Sequence, residues 1–190
     1  MKFNYEELRR ILVYAQATAD TLTVTEAVKK NNGLIIRHDI DHDISFALEV
    51  ARLEKDLLVK STFFVRMTAC YYNPMSRANR ALLRKIHNYG FEIGLHFDTS
   101  IEHAVERFNL EVLCLEDILG SKVMSFTSHN ISIHGAYSSK NGIINADKLQ
   151  DDGISDSLMN FNGKDPYKYI DKSKTMLILL LLHPLYWVVE

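Results

Sequence analysis

Short, continuously apolar runs alternate with segments of helical periodicity along most of this chain, and that alternation restricts its fold more than any other feature. The runs fall at Leu34–Arg37, Ser61–Val65, Phe91–Leu95, Val123–Phe126, Ile154-Ser155 and Met176–Leu182. Between them, apolar positions recur with a helical period through Phe46, Leu48, Val50, Ala51 and Leu53, and again around Ala81–His87 up to Gly90. A third helical stretch, from about Ile101 to Leu119, carries Ala104, Phe108, Val112 and Leu115 and stops at Gly120. Strands without polar alternation are buried on both faces, as happens when helices cover a mostly parallel sheet. The expected class is α/β: a distorted (β/α) barrel with about 6–7 mostly parallel strands. A complete barrel typically takes about 250 residues, so a chain of 190 implies a compact, open or incomplete one.

No repeat, low-complexity tract or proline-rich linker divides the sequence, which reads as one domain over 1–190. Residues 1–32 form a helical extension, with Leu8, Ile11, Leu12, Tyr14 and Ala15 at helical spacing and a shorter helix after Thr23 or Thr25. Asn31-Asn32-Gly33 ends it, and the barrel occupies 33–187. The extension is expected to serve as a barrel cover or as a dimer contact.

Charge narrows the partners. With 22 Lys+Arg against 24 Asp+Glu the net charge is -2, and there is no basic stripe of the kind that neutralises phosphates, so nucleic acid is not the expected partner. Met176–Leu182, the longest apolar run, is too short to be a membrane span, which takes roughly 20 helical residues. The first residues turn acidic without an apolar secretory core. Two cysteines, Cys70 and Cys114, in segments that read as partly buried, build neither a disulfide framework nor a CxxC knuckle. A cytoplasmic location is the expectation.

The eight histidines concentrate where strands end. Leu34-Ile35-Ile36 runs into Arg37-His38-Asp39-Ile40-Asp41-His42-Asp43, and Ile93-Gly94-Leu95 into His96-Phe97-Asp98. Phe126 leads to Thr127-Ser128-His129, Ile154 to Ser155-Asp156-Ser157, and Leu182 to His183. In a parallel barrel these ends lie side by side, so residues distant in sequence converge on one rim. Asp39 and Asp41, two apart in an extended segment, point to the same side. Two carboxylates aimed at one place call for a cation or a shared proton. Adding imidazoles favours a divalent metal, zinc first, with iron, cobalt or nickel also suited to mixed nitrogen and oxygen donors. Taken singly, a strand-end Asp or His more often caps a helix or satisfies loop backbone, and that bland role is assigned to His42, Asp43, His87, His103 and His134. Arg37 is expected to pair with Asp41 or Asp43 or to orient a catalytic carboxylate. Glu92, at the opposite end of its strand from His96, is structural. No GxGxxG, P-loop or GxSxG sequence is present.

The segments Leu34–Asp41, Ser61–Val65 and Gly90–Asp98 resemble the polysaccharide deacetylase family, the NodB-homology or carbohydrate esterase family 4 fold. The likeness is greatest to its divergent "RHDVD" branch of WbmS-like proteins. Ser125–His129, Ile154–Ser157 and Leu182–Trp187 look like later motifs of that branch, and the resemblance covers roughly residues 33–187. It implies metal-dependent hydrolysis of an N-acetyl group on a sugar. Carried over by position, Asp39 would be the general base, Asp41 and His96 metal ligands, and His183 the acid that protonates the leaving amine. The family's second histidine, four residues after the first, is Ser100 here. His129, which follows a strand, is expected to replace it, in preference to His103 in the first turn of a helix. Asp98 is a further candidate ligand, and Arg37 and Asp156 are candidates for contacting substrate or supporting the ligands.

Three functions compete at this level. The first is a metal-dependent deacetylase acting on a polysaccharide or glycan precursor. The second is another metal-dependent amidohydrolase or phosphoesterase on the same rim. The third is a catalytically silent carbohydrate-binding or assembly module, to which Ser100 points and against which Asp39 and Asp41 stand.

Overall fold

A computed structural model describes residues 2–100, 104–129 and 142–188. The expected helix start at Ile101, His103, His134 and most of the loop after His129 lie outside the described residues. The chain opens with α1 (Tyr5–Thr18), the two-residue β1 (Thr21–Leu22) and the short α2 (Val24–Ala27). Then β2 (Gly33–Ile40), α3 (Ile44–Asp56), β3 (Thr62–Val65), α4 (Arg77–Asn88), β4 (Glu92–Asp98), α5 (Ala104–Leu119) and β5 (Ser125–His129) alternate. The last part holds β6 (Ile144–Asn145), β7 (Asp152–Ser155), α6 (Pro166–Lys172), β8 (Leu177–Leu182) and α7 (Leu185–Val188). Local chemistry sets the helix starts. Asn4, Thr23, Asp43, Ser76 and Asp165 each accept a first-turn backbone N–H, and Thr23 with Glu26 closes a capping box.

The strands form one parallel sheet in the order β6-β5-β4-β3-β2-β8-β7, with β1 added beside the start of β2. Followed from β2 to β6 and then through β7 and β8 back to β2, the order is that of the chain, which is the winding of a (β/α) barrel. The seam falls between β6 and β7, which do not pair, so the sheet is a curled half-barrel of seven parallel strands with β1 as a short addition.

Strand alternation separates two clusters. Outward-facing Leu34, Ile36, Ile40, Phe63, Val65, Ile93, Leu95, Phe97, Phe126, Ile178, Leu180 and Leu182 pack under the helices. The concave side collects Ile35, Phe64, Leu177 and Leu179, plugged from the N-terminal end by Leu22, Val24 and Ala27. Space inside is tight enough that Gly94 is obligatory: a Cβ there would lie 2.4 Å from the Phe64 ring and 2.8 Å from the Ser125 carbonyl oxygen. Gly33, at φ +135°, would likewise push a Cβ to 2.5 Å from Leu22.

α1 belongs to the helical layer. Leu8, Ile11, Leu12 and Ala15 are fully buried in the outer cluster, α1 lies against α6 and α7, and Phe3 packs on Trp187 with ring centroids 4.6 Å apart. Several strands run longer than their apolar runs indicate. β2 continues to Ile40 and β5 to His129, because Arg37, Asp39, Thr127 and His129 face the concave side, where polar residues find partners. No described helix is long and apolar enough to cross a membrane.

Candidate metal and catalytic site

The C-terminal halves of the strands carry a polar layer directly above the apolar concave floor. Arg37 and Asp39 sit two apart on β2 and share a face, so the guanidinium grips its neighbour bidentately: Nε donates to Oδ1 at 2.7 Å and Nη2 to Oδ2 at 2.8 Å. Arg37 Nη1 also donates to Asp147 Oδ1 at 2.8 Å, and Nη2 reaches Thr127 Oγ1. Arg37 therefore pairs with Asp39 and Asp147, and the expected partners Asp41 and Asp43 are not used. Asp41 lies past the strand end, and Asp43 is turned away to cap α3. Burial alone would raise the Asp39 carboxyl, but Arg37 beside it, with smaller help from His96 and His183, holds it well below the usual carboxylate range.

Asp41, just past the end of β2, converges with His96 on β4 and His129 on β5. One ligand atom from each lies within 4.8 Å of the others. His96 Nε2 is 3.5 Å from Asp41 Oδ1 and 3.6 Å from Asp39 Oδ2, and His129 Nε2 is 4.0 Å from Asp41 Oδ1. Asp41 Oδ1 is buried and has no hydrogen-bond partner, an arrangement that leaves an anionic oxygen uncompensated unless a cation is present. Burial lowers the His96 imidazole below its ordinary value despite Asp39 nearby, which leaves a ring nitrogen lone pair to offer. Thr127 Oγ1 lies 3.2 Å from the other ring nitrogen, Nδ1, so Nε2 is the atom turned to the carboxylates. One carboxylate and two imidazoles are the donor set of an open tetrahedral site, and the residues present fit a divalent metal.

His183, just after β8, brings Nε2 to 3.7 Å from Asp41 Oδ2. Its Nδ1 lies 2.6 Å from Oδ1 of the fully buried Asp156. Burial disfavours the imidazolium, yet the hydrogen bond and charge of Asp156, together with Asp39 and Asp41, raise His183 above its ordinary value. Trp187 Nε1 donates to the second Asp156 oxygen at 2.7 Å.

Other sequence candidates lie elsewhere. His38 faces outward, its Nε2 2.7 Å from Glu54 Oε1 and its ring stacked on Phe63. His42 stacks on Tyr71 at 4.7 Å, and His87 Nε2 contacts Ser121 Oγ at 3.1 Å. Ser100 offers no ligand to the site: its N–H and hydroxyl both donate to Asp98 Oδ1, at 3.0 and 2.6 Å. Cys70 is exposed rather than partly buried, and both cysteines are free. Three participants were not anticipated. Asp147 anchors Arg37 and accepts the Ser128 N–H at 2.8 Å. Arg66, the first residue after β3, contacts Asp98 and His129. Tyr72 donates to the Ile40 carbonyl at 2.7 Å and accepts the Arg66 N–H at 3.0 Å. Only Arg66 had a sequence signal, as a charged residue closing an apolar run.

The fold is a half-barrel like that of NodB-homology, carbohydrate esterase family 4 structures. No protein-family model matches the chain, and no curated protein does. Solved structures do. IcaB from Ammonifex degensii aligns with a TM-score of 0.51 at 18% identity over 65% of this chain and 65% of its own. The chitin deacetylase of the fungal pathogen Colletotrichum lindemuthianum aligns with a TM-score of 0.51 at 15% identity over 83% and 76%. WbmS of Bordetella bronchiseptica, involved in O-antigen biosynthesis, gives 0.48 at 15% identity over 90% and 80%. The chain thus spans less than two thirds of the IcaB structure, and at these identities the likeness is one of fold.

Proposed function

We propose that this chain is a metal-dependent hydrolase that removes N-acetyl groups from a carbohydrate, in a cytoplasmic setting from a glycan precursor or nucleotide-linked sugar. The observation that carries the reading is the convergence of Asp41, His96 and His129 around a buried Asp41 oxygen that has no hydrogen-bond partner. The fold shared with a chitin deacetylase supports it.

Asp41, His96 and His129 would hold the metal, zinc in first place. When bound, such an ion supplies Lewis acidity to the acetyl carbonyl and to a water. The chain's own residues do the rest. Asp39, fixed by Arg37, stays ionised at any working pH and is positioned to accept a proton as the water oxygen bonds to the carbonyl carbon. Arg37 makes it a weak base, and its contribution is placement. His183, whose imidazolium form Asp156 favours, gives the Nε2 proton to the amine nitrogen as the C–N bond breaks, and acetate and a free amino sugar leave.

Protein purified without added ions is expected to carry divalent metal at one per chain, and to release acetate from N-acetylated sugars. Metal that fails to bind even on titration would sink the hydrolase reading. His129→Ala is expected to lose the metal. Full retention there, with loss in His103→Ala, would reassign the third ligand. Asp39→Asn is expected to retain metal and to lose roughly 100-fold or more in turnover.

A further inference from the structure

Arg66 occupies a place that the metal reading leaves unexplained. Its backbone is pinned at the rim through Tyr72, and its side chain, 13% exposed, turns inward. There Nη2 donates to Asp98 Oδ2, Nη1 lies 3.2 Å from His129 Nε2, and Nε is buried without a partner. A guanidinium only donates. The contact therefore requires an unprotonated His129 Nε2, which places the neutral ring's proton on Nδ1, the nitrogen 3.8 Å from Asp98 Oδ2. Yet Nε2 is also the nitrogen that faces Asp41 Oδ1 at 4.0 Å. One lone pair has two claimants.

We propose that Arg66 is a resident cation that holds His129 in the metal-free protein, and that a divalent metal binds only by displacing Nη1 from His129 Nε2. The inference rests on the metal reading above and adds to it a competitor within the chain. Two effects act in the same direction. The donor contact must be broken, and a fixed positive charge a few ångströms away opposes a dication in a partly desolvated site. Asp98 keeps Arg66 close after displacement, because its Oδ2 accepts from Arg66 Nη2 while the Ser100 N–H and hydroxyl hold Oδ1 from the other side. Arg66 is thereby retained near the site, and the exchange is reversible.

The opposite role is a positioning one, in which Arg66 and Asp98 orient His129 as a ligand, and it predicts the opposite sign. Loss of groups that orient a ligand typically costs about 10–100-fold in metal affinity. The test is the affinity of the full chain for Zn²⁺ alone, measured by competition with a chromogenic chelator, in wild type and Arg66→Gln. Binding about 10–100-fold tighter in Arg66→Gln is expected. Equal or weaker binding overturns the proposal. If neither protein binds Zn²⁺, the metal reading itself falls and takes this inference with it, a result distinct from unequal or equal binding. The unsubstituted protein supplies a second measurement. In ¹⁵N NMR, His129 Nε2 should be unprotonated before Zn²⁺ is added, and saturation should shift both it and the Arg66 guanidinium resonances. An Arg66 signal unmoved at saturation overturns the displacement.

Discussion

Asp156 ties His183 down through both of its oxygens: Oδ1 lies 2.6 Å from His183 Nδ1, while Oδ2 accepts the His183 backbone N–H at 2.9 Å and Trp187 Nε1 at 2.7 Å. One buried carboxylate thus fixes the tautomer, the ring orientation and the local backbone. Nε2 is left facing Asp41, 3.7 Å from its Oδ2.

Asp156→Asn tests that arrangement. The amide removes the charge that raises His183 and turns an N–H₂ toward donors, so His183 titrates at a lower pH. A raised histidine contributes stability that is complete below its unfolded value of about 6.5 and is lost as pH rises through the folded value. An acid catalyst follows the same limb. We expect the alkaline limb of turnover to move to lower pH in the variant, with a larger loss at pH 8 than at pH 6. NMR titration of the His183 ring should report the same displacement, and an unshifted ring would remove Asp156 from this role.

Arg37→Met isolates Asp39. Both side chains are almost fully buried, and removing one partner of a buried pair costs about 3–5 kcal/mol because the other charge is stranded. The pH dependence should also invert. In the wild type the depressed Asp39 contributes stability above its unfolded value of about 3.9, lost as pH falls through the folded value. Without Arg37, burial dominates and raises Asp39, so the variant should gain relative stability as the pH is lowered. Urea unfolding between pH 4 and 8 measures both effects. A variant within about 1 kcal/mol of wild type would place the pair among interactions of little net worth.

The rim was legible because strand ends in a parallel barrel are brought together by topology alone, so Asp39, Asp41, His96, His129 and His183 could be grouped from their positions after apolar runs. The partners of those residues were harder to see. Asp147 sits in a short 3-10 turn after a two-residue strand, too brief to leave any periodic trace, and its pairing with Arg37 joins residues 110 positions apart. Arg66 obeys the strand-end rule as well as any histidine does, but a rule applied to metal-ligating residue types passes over a guanidinium. His38 shows the converse. It stands next to Asp39 in sequence, yet strand alternation turns it to the other face, where it meets Glu54 and not the site.

Gly94→Ala should be destabilising by about 1–3 kcal/mol, the usual cost of overpacking. Its Cβ meets the Phe64 ring at 2.4 Å and the Ser125 carbonyl oxygen at 2.8 Å. Phe64→Leu added to Gly94→Ala relieves the first clash and leaves the second, so a double-mutant cycle should show partial rescue. Strict additivity would mean that the ring does not set the limit.

Glu54 lies fully buried between α3 and the sheet, its Oε1 2.7 Å from His38 Nε2 and its Oε2 accepting from Ser61 Oγ at 2.6 Å. Glu54→Leu leaves His38 and Ser61 without their acceptor and should cost about 1–3 kcal/mol or more. The combined His38→Leu, Glu54→Leu change should recover part of that loss, since replacing a whole buried polar pair by apolar groups is often nearly neutral. Metal affinity should stay unchanged in every variant that folds, because this network lies on the far face of β2. A loss of metal in folded Glu54→Leu would show that the two faces are coupled.

Glu111 on α5 supplies the last pH signal. Both carboxyl oxygens are buried and make no hydrogen bond. Burial pushes the group up to about 7, Asp98 adds to the rise, and Arg107 and Arg66 oppose it. The sign follows from proton binding: between the unfolded value near 4.3 and the folded one, the native state holds the extra proton, so stability declines as pH rises through that window. Glu111→Gln keeps the shape and removes the charge. We expect it to match wild type near pH 5 and to be more stable by a few kcal/mol at pH 8, as read from urea midpoints at the two pH values. A glutamine variant no better than wild type at pH 8 would mean that Glu111 ionises at its ordinary pH, and that water or a cation reaches the carboxylate behind Asp98.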